Sequence, residues 1–331
     1  MLIIATMLPG ETAQTWIEKG AEAYANMRVA EAAQHFEKAV EVDPHSVKAQ
    51  LSLGVFYLFQ YQNGLAEQVD RMDDASSGPR RLTREEIDAK AEKRRAQIAQ
   101  QNATNAPRAE EHLKQAVQLD PRYEPAMEYL AALYLWWRDP ASDIWDLWAR
   151  RDDARCWYAR IVEHNPQHRC AHYACGVIDY QKAFVLIRST TPGFPRPLAD
   201  KKARRSLRAK VGPLLEDSAA SFLRSLEIDP NNSGAMTYLG FVKSDEAYIA
   251  ENMDDSAQLR AEAADWYRKV DQIRAAHAKA TGQPWPPGNT GAITFKRIPG
   301  KPPIPSFPPD AQFMMPPAPP SPPPLPPGFK R

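Results

Sequence analysis

Glycine is scarce in this chain: 15 of 331 residues, against 31 prolines. That scarcity argues for helix and against the glycine-rich loops that cradle phosphates, and the sequence contains no GxxxxGK(S/T), GxGxxG or GxSxG motif. Cysteine is equally sparse. Cys156, Cys170 and Cys175 are odd in number and central, which is no disulfide framework, and a reduced, cytoplasmic compartment is the simplest expectation. Neither sign of charge dominates: 42 Lys and Arg stand against 41 Asp and Glu, a formal net charge of +1. This excludes a broadly basic nucleic-acid binder, and contact with nucleic acid is not expected of the chain as a whole. No long apolar run occurs near the start. Met1 to Pro9 is far short of the roughly 20 residues a membrane span needs. Residues 1–12 read as an apolar lead-in packing on the first helix. The alternative is a remnant of a signal peptide without its basic start, which would place the protein in the periplasm or outside the cell.

Proline is abundant but uneven. Residues 283–331 hold 18 of the 31, in stretches such as Lys301-Pro-Pro-Ile-Pro and Ser321-Pro-Pro-Pro-Leu-Pro-Pro. Such composition favours extended polyproline II and a disordered tail, so the folded body is expected to end near Gly282.

Within that body one ending recurs: Ala39-Val-Glu-Val-Asp-Pro44, Ala116-Val-Gln-Leu-Asp-Pro121, Ile161-Val-Glu-His-Asn-Pro166 and Ser225-Leu-Glu-Ile-Asp-Pro230. A Leu-Gly-like pair follows each: Leu53-Gly54, Leu130-Ala131, Cys175-Gly176 and Leu239-Gly240. The second member of the pair lies 10 residues after the proline every time. In this pattern the chain resembles the tetratricopeptide repeat family. Residues 13–46 match its 34-residue signature with Trp16, Gly20, Ala32, Phe36, Ala39 and Pro44, and depart from it at Lys19 and Ala23. Later copies are longer and read as 47–123, 124–168, 169–232 and 233–277. Asp179 and Ser225 are departures in the fourth, and the fifth lacks the closing proline, as a terminal cap would. The resemblance implies an all-α, right-handed solenoid of about five helical hairpins over residues 13–282, followed by the tail 283–331.

The extra residues fall between the two helices of each hairpin. In the second copy Thr83-Arg-Glu-Glu86 is a capping box opening an inserted helix to about Gln101. In the fourth, a rigid Pro-rich loop precedes a second helix near Leu198–Val211. The shorter insertions of the third and fifth copies are expected to lengthen helices, with Pro140 starting a helix that carries Trp145 and Trp148.

Candidate chemistry is thin. His164, His168, Cys170, His172 and Cys175 cluster, but without metal-ligand spacing, and His172 and Cys175 fall at packing positions of the repeat. No metal, cofactor or catalytic residue is expected. The segment Lys201, Lys202, Arg204, Arg205, Arg208 and Lys210 is the candidate anion contact, although a solvated helix face is its ordinary role. The resemblance implies a concave groove lined by Tyr24, Leu51, Leu58, Phe59, Tyr129, Trp136, Tyr173, Tyr180, Tyr238 and Phe241. The positions that hold basic and amide residues in carboxylate-binding relatives are Ile17, Ala21, Ser52 and Ala132, so a carboxylate clamp is disfavoured. The expected function is non-catalytic: holding a protein partner by an extended apolar or proline-rich segment. In the alternative the groove is filled in cis by insertions or tail, and the protein serves assembly.

Overall fold

In a computed structural model the described residues are 11–77, 83–137, 150–190, 200–282, 294–296 and 304–306. The chain forms two compact units, Met1–Ala154 with Pro316–Arg331, and Arg155–Met315.

The first unit holds α1 (Ala13–Ala25), α2 (Val29–Val42), α3 (Val47–Ser77), α4 (Arg84–Leu119) and α5 (Glu124–Trp136). Helices pair because a residue without a side chain on one lies under a large side chain on the other. A Cβ built on Gly20 of α1 would stand 2.7 Å from the Phe36 ring of α2. One on Gly54 of α3 would stand 2.8 Å from Leu113 of α4. Around these contacts Ala23, Ala32, Ala39, Leu113 and Ala116 are fully buried.

The second unit repeats the device. α6 (Arg151–His164) straddles the division. Then come α7 (Arg169–Thr190), α8 (Lys201–Ile228), α9 (Ser233–Tyr248) and α10 (Met253–Thr281). Gly176 of α7 lies under Phe222 of α8, 2.8 Å from a built Cβ, and Gly240 of α9 lies closely under Tyr267 of α10. α10 ends at Gly282, whose φ of 68° is the left-handed conformation that a helix stop asks for and glycine adopts freely.

The recurrent Asp/Asn-Pro ending builds one turn four times over. Asp43, Asp120, Asn165 and Asp229 each follow the last residue of a helix, and Asp43, Asp120 and Asp229 have extended φ/ψ, as a residue before proline must. Each side-chain oxygen accepts from the N–H two residues on, at 3.0, 3.0, 3.2 and 3.1 Å respectively. Each carbonyl accepts from the N–H three residues on. Three of the four following helices are capped by the residue that closes the turn: Ser46, His168 and Asn232.

Among the described residues the long insertions form no separate helices. The Thr83–Glu86 capping box is present, with bonds of 2.8 and 3.3 Å, but the helix it opens continues to Leu119 through Pro107. Likewise the helix near Leu198–Val211 is the first part of α8, which runs through Pro213 to Ile228. Each proline removes one helical hydrogen bond, but both are exposed, so their rings displace no packed neighbour. The insertions therefore lengthen the hairpins. Pro140, Trp145 and Trp148 lie outside the described residues, as do the lead-in 1–10 and most of the tail. Within the tail, β1 (Thr294–Lys296) pairs antiparallel with β2 (Ile304–Ser306), Phe295 opposite Pro305, a local departure from the purely extended chain that its prolines predict.

Met27, in the α1–α2 turn, has φ 59° and is 83% exposed. A left-handed methionine costs about 1 kcal/mol that glycine does not. Met27→Gly is therefore expected to raise the stability of the first unit by about that amount, read as a higher urea midpoint at unchanged m-value.

Candidate interaction surfaces

The ten residues expected to line a groove divide between the units. In the first, Tyr24, Leu51 and Phe59 are half-buried, whereas Leu58 and Tyr129 are buried; the side chain of Trp136 lies outside the described ones. Tyr24 meets Phe56 edge-on at 6.0 Å, and Phe59 meets Tyr129 edge-on at 6.4 Å. Burial pushes the Tyr129 hydroxyl up to about 12, so it stays protonated at any ordinary pH. Ile17 and Ser52 are half-buried, Ala21 is exposed and Ala132 is buried, so no charge stands at these clamp positions.

In the second unit Tyr173, Tyr180 and Tyr238 are buried, the last two at 2% exposure, and only Phe241 is half-buried. These rings form one cluster across α7, α8 and α9. Tyr238 stacks on Phe222 at 5.2 Å and meets Tyr180 edge-on at 5.5 Å. Tyr180 stacks on Phe241 at 6.0 Å. Five of the ten candidates are thus packed interior. The register places them on the inner side of their helices, and burial closes that side at their positions.

A buried carboxylate, which the sequence pattern does not single out, sits beside this cluster. Asp245 of α9 is 4% exposed and accepts from the Tyr180 hydroxyl at 3.1 Å. Burial lifts its carboxyl to about 6, with the Arg188 charge and the Tyr180 bond pulling the other way. Burial, then the same carboxylate, push the Tyr180 hydroxyl well upward. In sequence Asp245 stands among Lys243, Ser244 and Glu246, a polar run that an exposed helix face would also produce.

Polar ties also link successive hairpins. Tyr57 donates to Glu37 at 2.8 Å and accepts from Arg108 at 3.2 Å. Tyr134 donates to Glu110 at 2.6 Å, where Lys114 also binds, and the Arg150 guanidinium lies 3.8 Å over the Trp137 ring. At the corresponding place in the fourth copy the signature tyrosine is Asp179. Arg155, at the register position of Glu110, donates to it through Nε and Nη2. The departure at Asp179 is thus a reversal of donor and acceptor within the same tie. Ser225, the other departure, is buried and accepts from the Asn232 amide at 3.1 Å.

Two of the histidines serve the turn. His168 caps α7 through Nδ1, and His172 Nε2 lies 3.0 Å from the Pro166 carbonyl oxygen. Cys175 is buried, and desolvation raises its thiol to about 12. Among the described residues no group of His, Cys, Asp and Glu is arranged to hold a metal ion.

The basic segment forms the first turns of α8. Asp200 caps it, accepting from the Lys202 and Ala203 N–H groups. Arg204 donates to the Ala250 carbonyl at 3.2 Å, whereas Arg205 and Arg208 face Glu251 at 3.9 and 4.0 Å. Lys201 and Lys202 are exposed. Beside Arg208, the residues Gly212, Leu215, Ile249 and Leu259 line a shallow cleft of about 300 Å³. Among the described residues no helix is long and apolar enough to cross a membrane.

No family model and no curated protein matches this chain. Among solved structures it is similar to one described as MamA protein, at 16% identity over 84% of this chain and all of that one, with a TM-score of 0.47. It is also similar to YrrB, described as a TPR protein with an unusual peptide-binding site, at 14% identity over 81% of this chain and 92% of that one, with a TM-score of 0.43. The repeated glycine-under-large-side-chain hairpin and the fourfold Asx-Pro turn make this an all-α protein of tetratricopeptide-like helical hairpins.

Proposed function

We propose that the protein is a non-catalytic scaffold that holds a protein partner, and that the first unit does so through Tyr24, Leu51 and Phe59. The observation that carries this reading is the half-burial of three apolar or aromatic side chains at inner-face positions, beside clamp positions that hold no charge. Such a surface suits a segment with no terminal carboxylate to satisfy, extended and rich in apolar residues or proline. A polyproline II ligand loses little entropy on docking against aromatic rings. The test is titration of a fluorescein-labelled proline-rich decapeptide into the full chain, followed by anisotropy. Phe59→Ala is expected to weaken binding about tenfold, the effect of losing one aromatic anchor. Unchanged affinity would remove Phe59 and this face from the reading.

A second reading is favoured by one coincidence. The cations of Lys201 and Lys202 stand at the N-terminus of a 28-residue helix, where the helix dipole is also positive. That end would attract an anionic group on a partner, and binding through it would weaken steeply with added salt.

A further inference from the structure

The first unit carries a cleft that shares no residue with Tyr24, Leu51 or Phe59. It holds about 360 Å³ and is lined from α2, α3 and α4. Val40, Leu53 and Tyr57 give it apolar and aromatic walls, and Glu37, Glu41, Arg108, Glu111 and His112 complete it.

Its hydrogen-bonding character is decided by a chain of bonds that starts outside it. The Pro44 carbonyl can only accept, so Gln50 donates its amide N–H there, at 2.9 Å. The Gln50 Oε1 is thereby turned toward His112, 2.8 Å from Nδ1, and has to accept. The proton of the neutral imidazole is therefore on Nδ1, and Nε2 keeps its lone pair. Burial above all holds this ring below the usual imidazole range, so it is neutral at pH 7. Among the described residues nothing donates to Nε2.

The remaining lining is also rich in acceptors. Glu37 accepts from Tyr57, and Glu41 meets only Lys38 of its own helix, on the exposed surface. Glu111 is exposed and has no ion-pair partner among the described residues. Three carboxylates thus face one lining cation, Arg108. Its guanidinium lies 5.3 Å from the centre of the Tyr57 ring and donates to the Tyr57 hydroxyl at 3.2 Å. An arginine of this chain already uses the cleft in the way guanidinium groups prefer, over an aromatic face with an oxygen acceptor at its edge. His112, stacked on Tyr57 at 6.1 Å and 15°, supplies a second flat ring, and Glu41 and Glu111 supply further acceptors.

We propose that this cleft takes an arginine side chain from a basic segment of a partner protein. The guanidinium donates to Glu41, Glu111 and the His112 Nε2, and its methylene stem lies along Val40 and Leu53. Charge complementarity selects this occupant: a cationic segment relieves the excess of carboxylates, whereas an acidic one adds to it.

The test is an anisotropy titration of the full chain into a fluorescein-labelled decapeptide carrying two arginines. A twin peptide has neutral citrulline in place of both. The arginine peptide is expected to bind at least tenfold more tightly than the twin. Glu41→Gln combined with Glu111→Gln is expected to weaken its binding about tenfold. Arg108→Gln is expected to tighten it about threefold, because the competing cation is gone. A damaged fold would not bind more tightly, so this last result separates charge from structure. Phe59→Ala is expected to leave the arginine peptide's affinity unchanged, so this idea and the inner-face reading can fail separately. Equal binding of the twin, unchanged affinity in the double variant, weaker binding to Arg108→Gln, or loss of the arginine peptide on Phe59→Ala would each overturn the proposal. Binding of neither peptide would overturn it too. Should the full chain then self-associate, and the double variant not, the cleft's occupant is a second copy of the chain.

Discussion

Replacing Phe222 by alanine is expected to cost the second unit about 3–5 kcal/mol. Phe222 is fully buried and sits where four structural demands meet. Its ring fills the space over Gly176, stacks on Tyr238 at 5.2 Å and packs against Tyr173 at 5.7 Å. It also holds α8 against α7 at the one level where the helices approach closely enough to require a glycine. Truncation opens a cavity that the neighbouring rings, themselves locked in one cluster, are poorly placed to fill. The reciprocal change tests the same contact from the other side. Gly176→Ala gains about 1 kcal/mol of helix propensity, but its methyl would meet the Phe222 ring at 2.8 Å, inside contact distance. In wild-type background the clash outweighs the propensity gain. Against Phe222→Leu, which vacates the ring edge, the alanine is expected to be less damaging. A double-mutant cycle by urea unfolding reads the difference. Additive effects would mean that the two residues do not touch.

The pH dependence of the second unit is expected to run against the usual sense for a carboxylate. The Asp245 carboxyl stands at about 6 in the folded state against 3.8 as a model compound, because burial disfavours its charged form. A raised acid holds its proton more tightly when folded. The penalty for ionising it is therefore complete above pH 6 and absent below about 4, so stability rises as pH falls through that window. A shift of about two units is worth about 3 kcal/mol. The groups facing Asp245 are the Tyr180 hydroxyl, which donates to it, and Arg188 of α7, whose positive charge already offsets part of the penalty. Asp245→Asn keeps an acceptor for Tyr180 and has nothing to titrate. Subtracting its unfolding free energy from that of wild type between pH 4 and 7 isolates the effect. A flat difference curve would show that Asp245 ionises as freely in the fold as outside it. Asp179 is also raised, chiefly by burial, but its bond to Arg155 opposes the shift; it is common to both proteins and cancels.

Much of the architecture was legible in the residues. The Asx-Pro ending announced four turns because its chemistry is local: the side chain bonds two residues on and the proline forbids further helix. The glycines ten residues later, Gly54, Gly176 and Gly240, announced the close approach of two helices, because only a missing side chain admits Leu113, Phe222 or Tyr267. The insertions were less legible. The inserted helices read as ending near Gln101 and Val211, and the structure continues both through Pro107 and Pro213, since an exposed ring costs one hydrogen bond and nothing in packing. Asp179 read as a departure from the signature tyrosine, whereas Arg155 of the preceding hairpin makes it the other half of the same tie.

The groove shows where pattern stops. Register names the side of a helix on which a residue falls, because that depends only on a periodicity of 3.6. Hairpin, turn and helical class follow from similarly short-range rules. Whether Tyr173, Tyr180 and Tyr238 meet water or other atoms depends on what lies across from them, often far away in the chain. The same holds for Asp245, an ordinary surface acid by pattern, which became a buried one only when α7 and α9 packed around it.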